Sequence, residues 1–444
     1  MKLNDKRTVN AWCMYDWANS VYSLVITSTI FPVYYNEVTR AAFDGDRIRF
    51  FGIEVENTVL YSYSISFSFL LIACLSPLLS GIADYSGRKK AFMKFFTILG
   101  SLSCISLFFF EGKNVEFGII ASVLASVGYG GALVFYNAFL PEIVSPNRYD
   151  LVSARGFSYG YVGSVILMIV NIVMLTWPGA FGLEPGSMPA KVSFLMVGIW
   201  WIGFAQIPFS RLPENVYKRR PDKHVIKKGY QELRMVWKSL SSLPRLKKYL
   251  IAFFFYSAGV QTTMYLAATF GEKELELPST SLILTILIIQ IVAIAGSYFF
   301  AFISKVRGNR FSLLTMVGIW IGICLSAYYI TNEVQFYLLA FVVGLVMGGI
   351  QSLSRATYAK LIPYKSIDHT SYFSFYDVTE KMSTVLGTFA YALVEQLTQS
   401  MRLSSLALGL FFVVGFGVLL MVKIPRERNR VTLNAEEEIA VEDY

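Results

Sequence analysis

Long apolar stretches, separated by shorter polar connections, follow one another along most of the chain. Each approaches the roughly 20 residues that a helix needs to cross the hydrocarbon core of a bilayer. The first stretch is long, carries polar residues and lacks a small-residue cleavage site, so we interpret it as a retained helix and not as a removable signal peptide. The pattern predicts an all-α membrane protein with twelve spans, at approximately 9–35, 58–80, 91–110, 117–141, 155–177, 191–210, 248–270, 279–303, 311–330, 336–360, 372–398 and 403–423.

One long polar connection, residues 211–247, divides the twelve predicted spans into six and six. We therefore predict an N-terminal six-helix half at 1–210, a cytoplasmic basic linker at 211–247, a C-terminal six-helix half at 248–423 and a cytoplasmic tail at 424–444. Within and after the linker, residues 230–248 place apolar side chains among Lys and Arg, which predicts an amphipathic helix on the inner leaflet. The densest basic residues of the linker are Lys218, Arg219, Arg220, Lys227 and Lys228.

Composition agrees with a membrane protein, because 55 % of the residues are hydrophobic and 16 % are aromatic. Most Lys and Arg residues lie in the tails and the even-numbered connections, which places both termini in the cytoplasm of a bacterial-type inner membrane. The net charge of +9 comes without a nucleic-acid recognition motif, so anionic lipid explains it better than nucleic acid does. The four cysteines lie singly in separate spans and indicate neither a disulfide framework nor a metal site, and no cofactor is predicted.

The two predicted halves repeat short motifs at equivalent places. Span 4 ends in YNAFLP and span 10 ends in YAKLIP, with the same spacing from Tyr to Pro. The turn after span 2 reads SGIADYSGRKK, and the turn after span 8 also has a charged residue three positions before a glycine, followed by basic residues. Such turns between two six-span halves resemble the major facilitator superfamily and its loop motif G-x-x-x-D-x-x-G-R-[KR].

The first turn matches that motif at Asp84, Gly87, Arg88 and Lys89, whereas Ser80 replaces its first glycine. Physically, Gly87 permits a tight turn, Asp84 can cap the helix that follows, and the two basic residues can anchor the cytoplasmic face. The second copy has Lys305 in place of the aspartate, so a gating role is expected for the first copy.

The resemblance to this superfamily implies that the first helix of each three-helix unit lines a central cavity. Spans 1, 4, 7 and 10 do carry polar residues in mid-span, and several of these are three or four positions apart, which places them on one helical face. Spans 3, 6, 9 and 12 hold few such residues, as lipid-facing helices do. The candidate substrate-contacting residues are Asp16, Asn19, Ser23, Tyr136, Asn137, Gln261, Tyr265, Gln351 and Arg355.

Charged residues inside or next to spans form a second candidate set, since charges in a membrane are rare and usually functional. Arg155 begins span 5, and Asp377, Glu380 and Lys381 lie in span 11. Asp377 and Lys381 are four residues apart and can simply neutralise each other within the helix. Three roles remain open for the charges in spans 1, 10 and 11, namely an inner gate of ion pairs, direct contact with substrate, and proton coupling. A proton carrier would be Asp16 or Glu380, because both histidines lie in connections.

Several longer motifs resemble one family within the superfamily. They are YDWANS, IFPVYY, FYNAFLPEIV, GYVGS and GGIQSLSRATYAKLIP, with Tyr376 and Lys381 before Gly387. This set is similar to the unknown major facilitator family, which includes the fungal autophagy-related vacuolar effluxer. The resemblance implies efflux of amino acids or similar small solutes by a secondary transporter that works by alternating access. We expect the protein to function as a monomer. Alternatives are export of drugs or sugars by the same fold, and a transport-inactive receptor or a lipid scramblase.

An enzyme is not expected. GFSYG, at residues 156–160, fits the nucleophile-elbow pattern G-x-S-x-G, but that motif needs a preceding strand and a triad histidine. Here it opens a membrane helix, where Gly156 and Gly160 provide a small-residue face for close helix packing, as do Gly344 and Gly348 in span 10.

Overall fold

The computed structural model describes residues 3–214, 224–363 and 366–424, and these residues are almost entirely helical. Lys218, Arg219 and Arg220 of the predicted linker, and the acidic end of the predicted tail, lie outside the described residues. The helix bounds follow the apolar stretches closely. This agreement reflects the rule that a backbone in hydrocarbon has to satisfy its hydrogen bonds internally.

The first predicted span is a helix that changes its winding. Helix α1 covers Lys6–Val21, a π-helical segment covers Tyr22–Thr29, and α2 covers Ile30–Phe43. Asp5 caps α1 by accepting a hydrogen bond from the Thr8 amide at 2.9 Å, which lowers the pKa of the Asp5 carboxyl group. In the π-helical segment the Thr29 hydroxyl donates to the Leu24 carbonyl oxygen, five residues earlier, at 2.6 Å.

A short antiparallel hairpin follows α2. Strands β1 (Arg47–Phe50) and β2 (Ile53–Glu56) pair with Phe50 opposite Ile53. The remaining helices before the linker region are α3 (Asn57–Ser86), α4 (Lys89–Ser106), α5 (Val115–Asn137), the short α6 (Leu140–Ile143), α7 (Tyr149–Thr176) and α8 (Met188–Arg211).

The second part of the chain begins with a helix within the predicted linker. Its helices are α9 (Val225–Ser242), α10 (Pro244–Leu275), α11 (Ser279–Arg307), α12 (Asn309–Tyr329), α13 (Glu333–Leu361), α14 (His369–Thr398) and α15 (Met401–Leu420). Helix α10 packs on α14 and α15, and α11 packs on α13. Contacts between the two parts of the chain run from α3 to α14 and from α7 to α11 and α13.

Ten helices of the described residues are long and apolar enough to cross a membrane. They correspond to ten of the twelve predicted spans. The two others, spans 1 and 11, are also helical, but α1 begins with polar residues and α14 contains three charged residues within five positions. Apart from the short hairpin, the described residues thus form the helical fold of a multi-pass membrane protein.

Glycine allows α11 and α13 to approach closely. A Cβ atom on Gly348 of α13 would overlap the carbonyl oxygen of Ala293 on α11, and a Cβ on Gly296 of α11 would overlap the carbonyl of Leu345 on α13. Gly344 lies against Ile289 in the same contact. The predicted small-residue face of span 10 is thus a helix–helix contact.

We expect Gly348→Ala to destabilise the protein by about 1–3 kcal/mol, because the added methyl group forces two backbones apart in a packed interface. A lower thermal midpoint of the detergent-solubilised protein measures the effect. The control is Gly322→Ala in α12, where a Cβ atom meets nothing within 4 Å. Equal midpoints for the two variants would show that the close approach of α11 and α13 is not required.

Candidate functional site

A cavity of about 220 Å³ lies between the two parts of the chain. One wall consists of α1, the π-helical segment, α3, α5 and α7, and the other consists of α10, α11, α13 and α14. Four charged residues line it: Asp16, Arg355, Glu380 and Lys381. Its size suits a small solute, since pockets for drug-sized ligands begin at roughly 300 Å³.

Asp16 and Arg355 form a buried ion pair across the two parts of the chain. The Arg355 Nη1 and Nη2 atoms lie 3.3 and 3.4 Å from Asp16 Oδ2. The same carboxylate oxygen accepts a hydrogen bond from the Tyr136 hydroxyl at 2.7 Å. Asp16 is 5 % exposed and Arg355 is 2 % exposed. Removing one member of a buried pair leaves a charge without a partner and typically costs several kcal/mol.

The guanidinium of Arg355 is satisfied from several sides. Its Nε atom donates to the Ser153 hydroxyl at 2.9 Å, its Nη2 atom to the Ser153 carbonyl at 3.0 Å and its Nη1 atom to the Asn137 amide oxygen at 3.2 Å. Its Cζ atom also lies 4.3 Å from the ring centre of Phe157 and 4.7 Å from that of Trp12. Hydrogen bonds and aromatic faces together replace the water that a buried arginine loses.

The absence of a side chain at Gly156 makes room for the ion pair between Asp16 and Arg355. A Cβ atom there would lie 2.6 Å from Asp16 Oδ2 and 3.0 Å from Arg355 Nη2. Helix α7 can therefore run directly beside the pair only with glycine at this position. The GFSYG sequence thus has a packing role next to the cavity, in agreement with the expectation that it is not an enzyme motif.

A second group of charges lies on α14. Lys381 Nζ is 3.2 Å from Asp377 Oδ1, one helical turn earlier, and 3.8 Å from Glu380 Oε2. Gln261 on α10 donates a hydrogen bond to Glu380 Oε1 at 2.7 Å. The intrahelical pair expected from the sequence is therefore present. It leaves Glu380 and Lys381, but not Asp377, facing the cavity.

Most predicted substrate-contacting residues meet in this cavity. Ser23, Asn137, Gln261, Tyr265 and Gln351 line it together with Asp16 and Arg355, and Tyr136 adjoins it through its hydrogen bond to Asp16. Asn19 does not line it and is fully buried, whereas its neighbour Ser20 does. Arg155 also lies outside the lining, where it donates to the side chain of Asn10 at 3.1 Å.

Asp84 caps a different helix from the one that we expected. We predicted that it caps the following helix, α4, but its carboxylate accepts hydrogen bonds from the Thr370 and Ser371 amides at 3.2 and 2.6 Å. It therefore caps α14, which lies 286 residues further along the chain, and a carboxylate at this helix end is favoured by the helix dipole. Gly87 ends α3 in the left-handed region, with φ at 68°, as the tight turn requires.

The two basic residues of the same turn, Arg88 and Lys89, differ in their exposure to solvent. Arg88 is exposed, in agreement with an anchoring role at the surface. Lys89 is buried and forms an ion pair with Glu142, with its ammonium 5.1 Å from the ring centre of Phe139. The expectation of a surface anchor was thus wrong for Lys89, which instead links α4 to α6.

A second polar network between the two parts of the chain was missed by the sequence analysis. Asp150, in the first turn of α7, is paired with Lys360 of α13 at 2.7 Å. It also accepts hydrogen bonds from Ser304 and Asn309, each at 2.8 Å. The turn that the sequence marks as the second copy of the loop motif supplies Asn309, but nothing in that turn indicates that its partner is Asp150 of α7. We call the end of the molecule that carries these contacts and Asp84 the latched end.

The cavity opens away from the latched end. The lining is buried at Asp16 and Arg355, whereas Ser28 is exposed and Tyr265 is 37 % exposed. The Asp16–Arg355 pair, the Asp84 contacts and the Asp150 network together close the other end. The structure is thus a state with access from one side.

The family comparison covers nearly the whole chain. A family model described as "Vacuole effluxer Atg22 like" matches residues 4–150 and 146–432. Both charged groups of the cavity, and the latched end, lie within the matched residues.

Individual relatives agree with this match. YxiO, an uncharacterised MFS-type transporter of Bacillus subtilis, is 31 % identical over 415 residues, which span 93 % of this chain and 94 % of that protein. Autophagy-related protein 22 of Yarrowia lipolytica is 23 % identical over 469 residues, spanning 86 % of this chain and 78 % of that protein. The crystal structure of the human organic anion transporter MFSD10 superposes with a TM-score of 0.68 at 14 % identity, over 94 % of this chain and 100 % of that one, which shows a shared fold.

Proposed function

This chain belongs to the family of Atg22-like vacuole effluxers within the major facilitator superfamily, and we propose that it exports amino acids or similar small zwitterionic solutes by alternating access. It is a secondary transporter and not an enzyme. The substrate class rests on one observation, namely that charges of both signs line one small cavity, with Asp16 from one half and Arg355, Glu380 and Lys381 from the other.

The architecture that goes with this function is twelve spans in two six-helix halves, residues 1–210 and 248–423, joined by the linker at 211–247. Within the described part of the chain, ten helices are apolar enough to span a membrane by themselves, and α14 and the α1–α2 segment run beside them as spans 11 and 1. The cavity lies where the halves meet, as expected for a site between repeats. The basic residues at the latched end support a cytoplasmic location for this end and for both termini, in a bacterial-type inner membrane.

Glu380 and Lys381 are our candidates for contact with a zwitterion. Glu380 is eleven residues from the start of α14, or about 16 Å along the helix, which is near the middle of a hydrocarbon core about 30 Å thick. Its carboxylate can receive an ammonium group, and the Lys381 ammonium can receive a carboxylate. Gln261, on α10 of the same cavity wall, holds Glu380 in place.

Asp16 and Arg355 serve better as a gate than as the first contact for substrate. Both are nearly inaccessible, and their partners Ser153 and Asn137 already satisfy the guanidinium. Because the pair joins the two halves, it has to break when the latched end opens. A substrate that carries both charge signs can then pair with Asp16 and with Arg355 in place of their contact with each other. This pairing lowers the free energy of the conformational change that opens the latched end.

Counterflow of a labelled amino-acid mixture into proteoliposomes tests the proposed substrate class. We expect uptake by the wild-type protein and its loss in Asp16→Asn. Repeating the assay with a pH gradient decides whether protons contribute to transport. No uptake by protein shown to be folded and reconstituted would contradict the proposal and favour drugs, sugars or a transport-inactive protein, including a scramblase.

Glu380→Gln is expected to reduce counterflow at least about tenfold, because the neutral amide cannot balance the charge of a substrate ammonium group in the cavity. A contact between a carboxylate and an ammonium group is worth roughly 1.4 kcal/mol or more, which corresponds to this factor. The matched control is Glu395→Gln on the same helix, which removes the same charge away from the cavity lining. The transport rate and the thermal midpoint of each variant separate a loss of binding from a loss of folding. Wild-type transport in Glu380→Gln would exclude this residue from substrate contact.

A further inference from the structure

Helix α9, in the linker between the halves, packs on helices from both of them. Gly229 lies directly against α3, where a Cβ atom would be 2.8 Å from the Cα of Ile82. On α14, the ring of Trp237 is 5.4 Å from that of Phe375, and the Ser239 hydroxyl is 2.8 Å from the Tyr372 hydroxyl. One face of α9, which includes the buried Val236 and Leu240, is therefore fixed to the protein at the latched end.

Helix α9 exposes four large apolar side chains: Met235 lies by itself on another side of the helix, and the other three lie next to the packed face. Ile226 is 71 % exposed, Trp237 is 62 % exposed, and Tyr230 is exposed as well. Their spacings of four and seven residues place them in one row along the helix. A row of aromatic and aliphatic residues on a membrane protein is typical of contact with the interface region of the bilayer, where Trp and Tyr are enriched.

A row of basic residues runs beside the apolar one. Lys227, Arg234 and Lys238 are all exposed and are separated by seven and four residues. At 100° per residue, this row lies about 80° further round the helix than the apolar row, on the side away from α3. An interfacial helix has this arrangement, because its apolar row enters the lipid while its cations meet the headgroups.

We propose that this double row of α9 is a binding surface for anionic phospholipid headgroups in the leaflet at the latched end. Each cation near an anionic bilayer adds to the attraction, so three of them predict a preference for anionic over zwitterionic lipid of at least about tenfold. A soluble polyanion would use the basic row alone and leave the apolar row in water. The lipid bilayer is the partner that matches both rows.

Quenching of Trp237 by brominated lipids tests this surface in the full-length protein. The protein is reconstituted with a fixed fraction of either brominated phosphatidylglycerol or brominated phosphatidylcholine, and the Trp237 signal is obtained by subtracting the spectrum of Trp237→Phe. We expect quenching by both lipids, with stronger quenching by phosphatidylglycerol. The triple variant Lys227→Gln, Arg234→Gln, Lys238→Gln should lose the difference between the two lipids.

The matched control removes three exposed basic residues from the opposite end of the molecule, with Arg47→Gln, Arg49→Gln and Lys113→Gln. It should keep the preference for phosphatidylglycerol. Equal quenching of wild-type Trp237 by the two lipids would contradict the proposal without any variant. Absence of quenching by either lipid would place α9 away from the bilayer and would favour a soluble partner for this face.

Discussion

Arg355→Gln is expected to abolish counterflow and to lower the free energy of unfolding by about 3–5 kcal/mol, the usual result of removing one member of a buried ion pair. Asp16 would then be a buried carboxylate with the Tyr136 hydroxyl as its hydrogen-bond donor. The reverse change, Asp16→Asn, should destabilise the protein less, since Arg355 keeps its bonds to Ser153 and Asn137 and its aromatic neighbours. Thermal midpoints and counterflow rates give the two effects separately.

Combining the two changes distinguishes a stability role from a transport role. In Asp16→Asn with Arg355→Gln, no unpaired charge remains, so most of the stability should return while transport stays absent. Arg402→Gln is the control, because its pair with Glu274 at 3.1 Å lies within the second half and is about a quarter exposed. It should change stability by less than about 1 kcal/mol and leave transport intact. Recovery of transport in the double variant would mean that the pair is only structural.

Lys360→Met should shift the protein towards the state that is open at the latched end. The change leaves Asp150 without its ammonium partner, while its bonds from Ser304 and Asn309 remain. A coupling of about 1–3 kcal/mol between the halves corresponds to a shift in the population ratio of about 5–150-fold. Hydrogen–deuterium exchange should therefore become faster in the first turn of α14 and the last turn of α13.

Exchange should become slower at the opposite end of the same variant, since that end closes when the latched end opens. This opposite change distinguishes a conformational shift from general destabilisation, which would accelerate exchange at both ends. Lys191→Gln is the control, because its pair with Glu111 at 2.9 Å joins two segments of the first half only. If Lys360→Met and Lys191→Gln give the same exchange pattern, the Asp150 network does not hold the halves together.

The helical architecture could be predicted from the sequence because hydrocarbon demands long apolar stretches, and ten of the predicted spans meet that criterion in the structure. The contacts between helices that are distant in the chain could not be predicted in this way. The loop motif identifies Asp84 as important, but nothing near it in the chain indicates that its partners are the amides of Thr370 and Ser371. Similarly, Lys305 replaces the aspartate of the loop motif in the second turn, whereas only the fold shows that Asn309 of this turn donates a hydrogen bond to Asp150.

Helical periodicity also limits what can be said about single positions of the cavity. Relative to Asp16, Asn19 and Ser20 lie on either side of the same stripe, about 60° and 40° away. Which of them faces the cavity depends on the neighbouring helices that cover each flank, and the packing buries Asn19 and leaves Ser20 in the lining. The stripe as a whole was predictable, and the choice between adjacent residues was not.

The charges of α14 also have a consequence for biogenesis. A charged residue at the centre of a helix raises the free energy of insertion by about 2.5–3.5 kcal/mol, and α14 carries Asp377, Glu380 and Lys381 within five positions. Released alone from the translocon, this helix would enter lipid poorly. Gln261, which bonds Glu380, lies on α10, and Asp84, which caps α14, lies on α3. Both helices are synthesised before α14, so α14 should remain at the insertion machinery until it can pack against them.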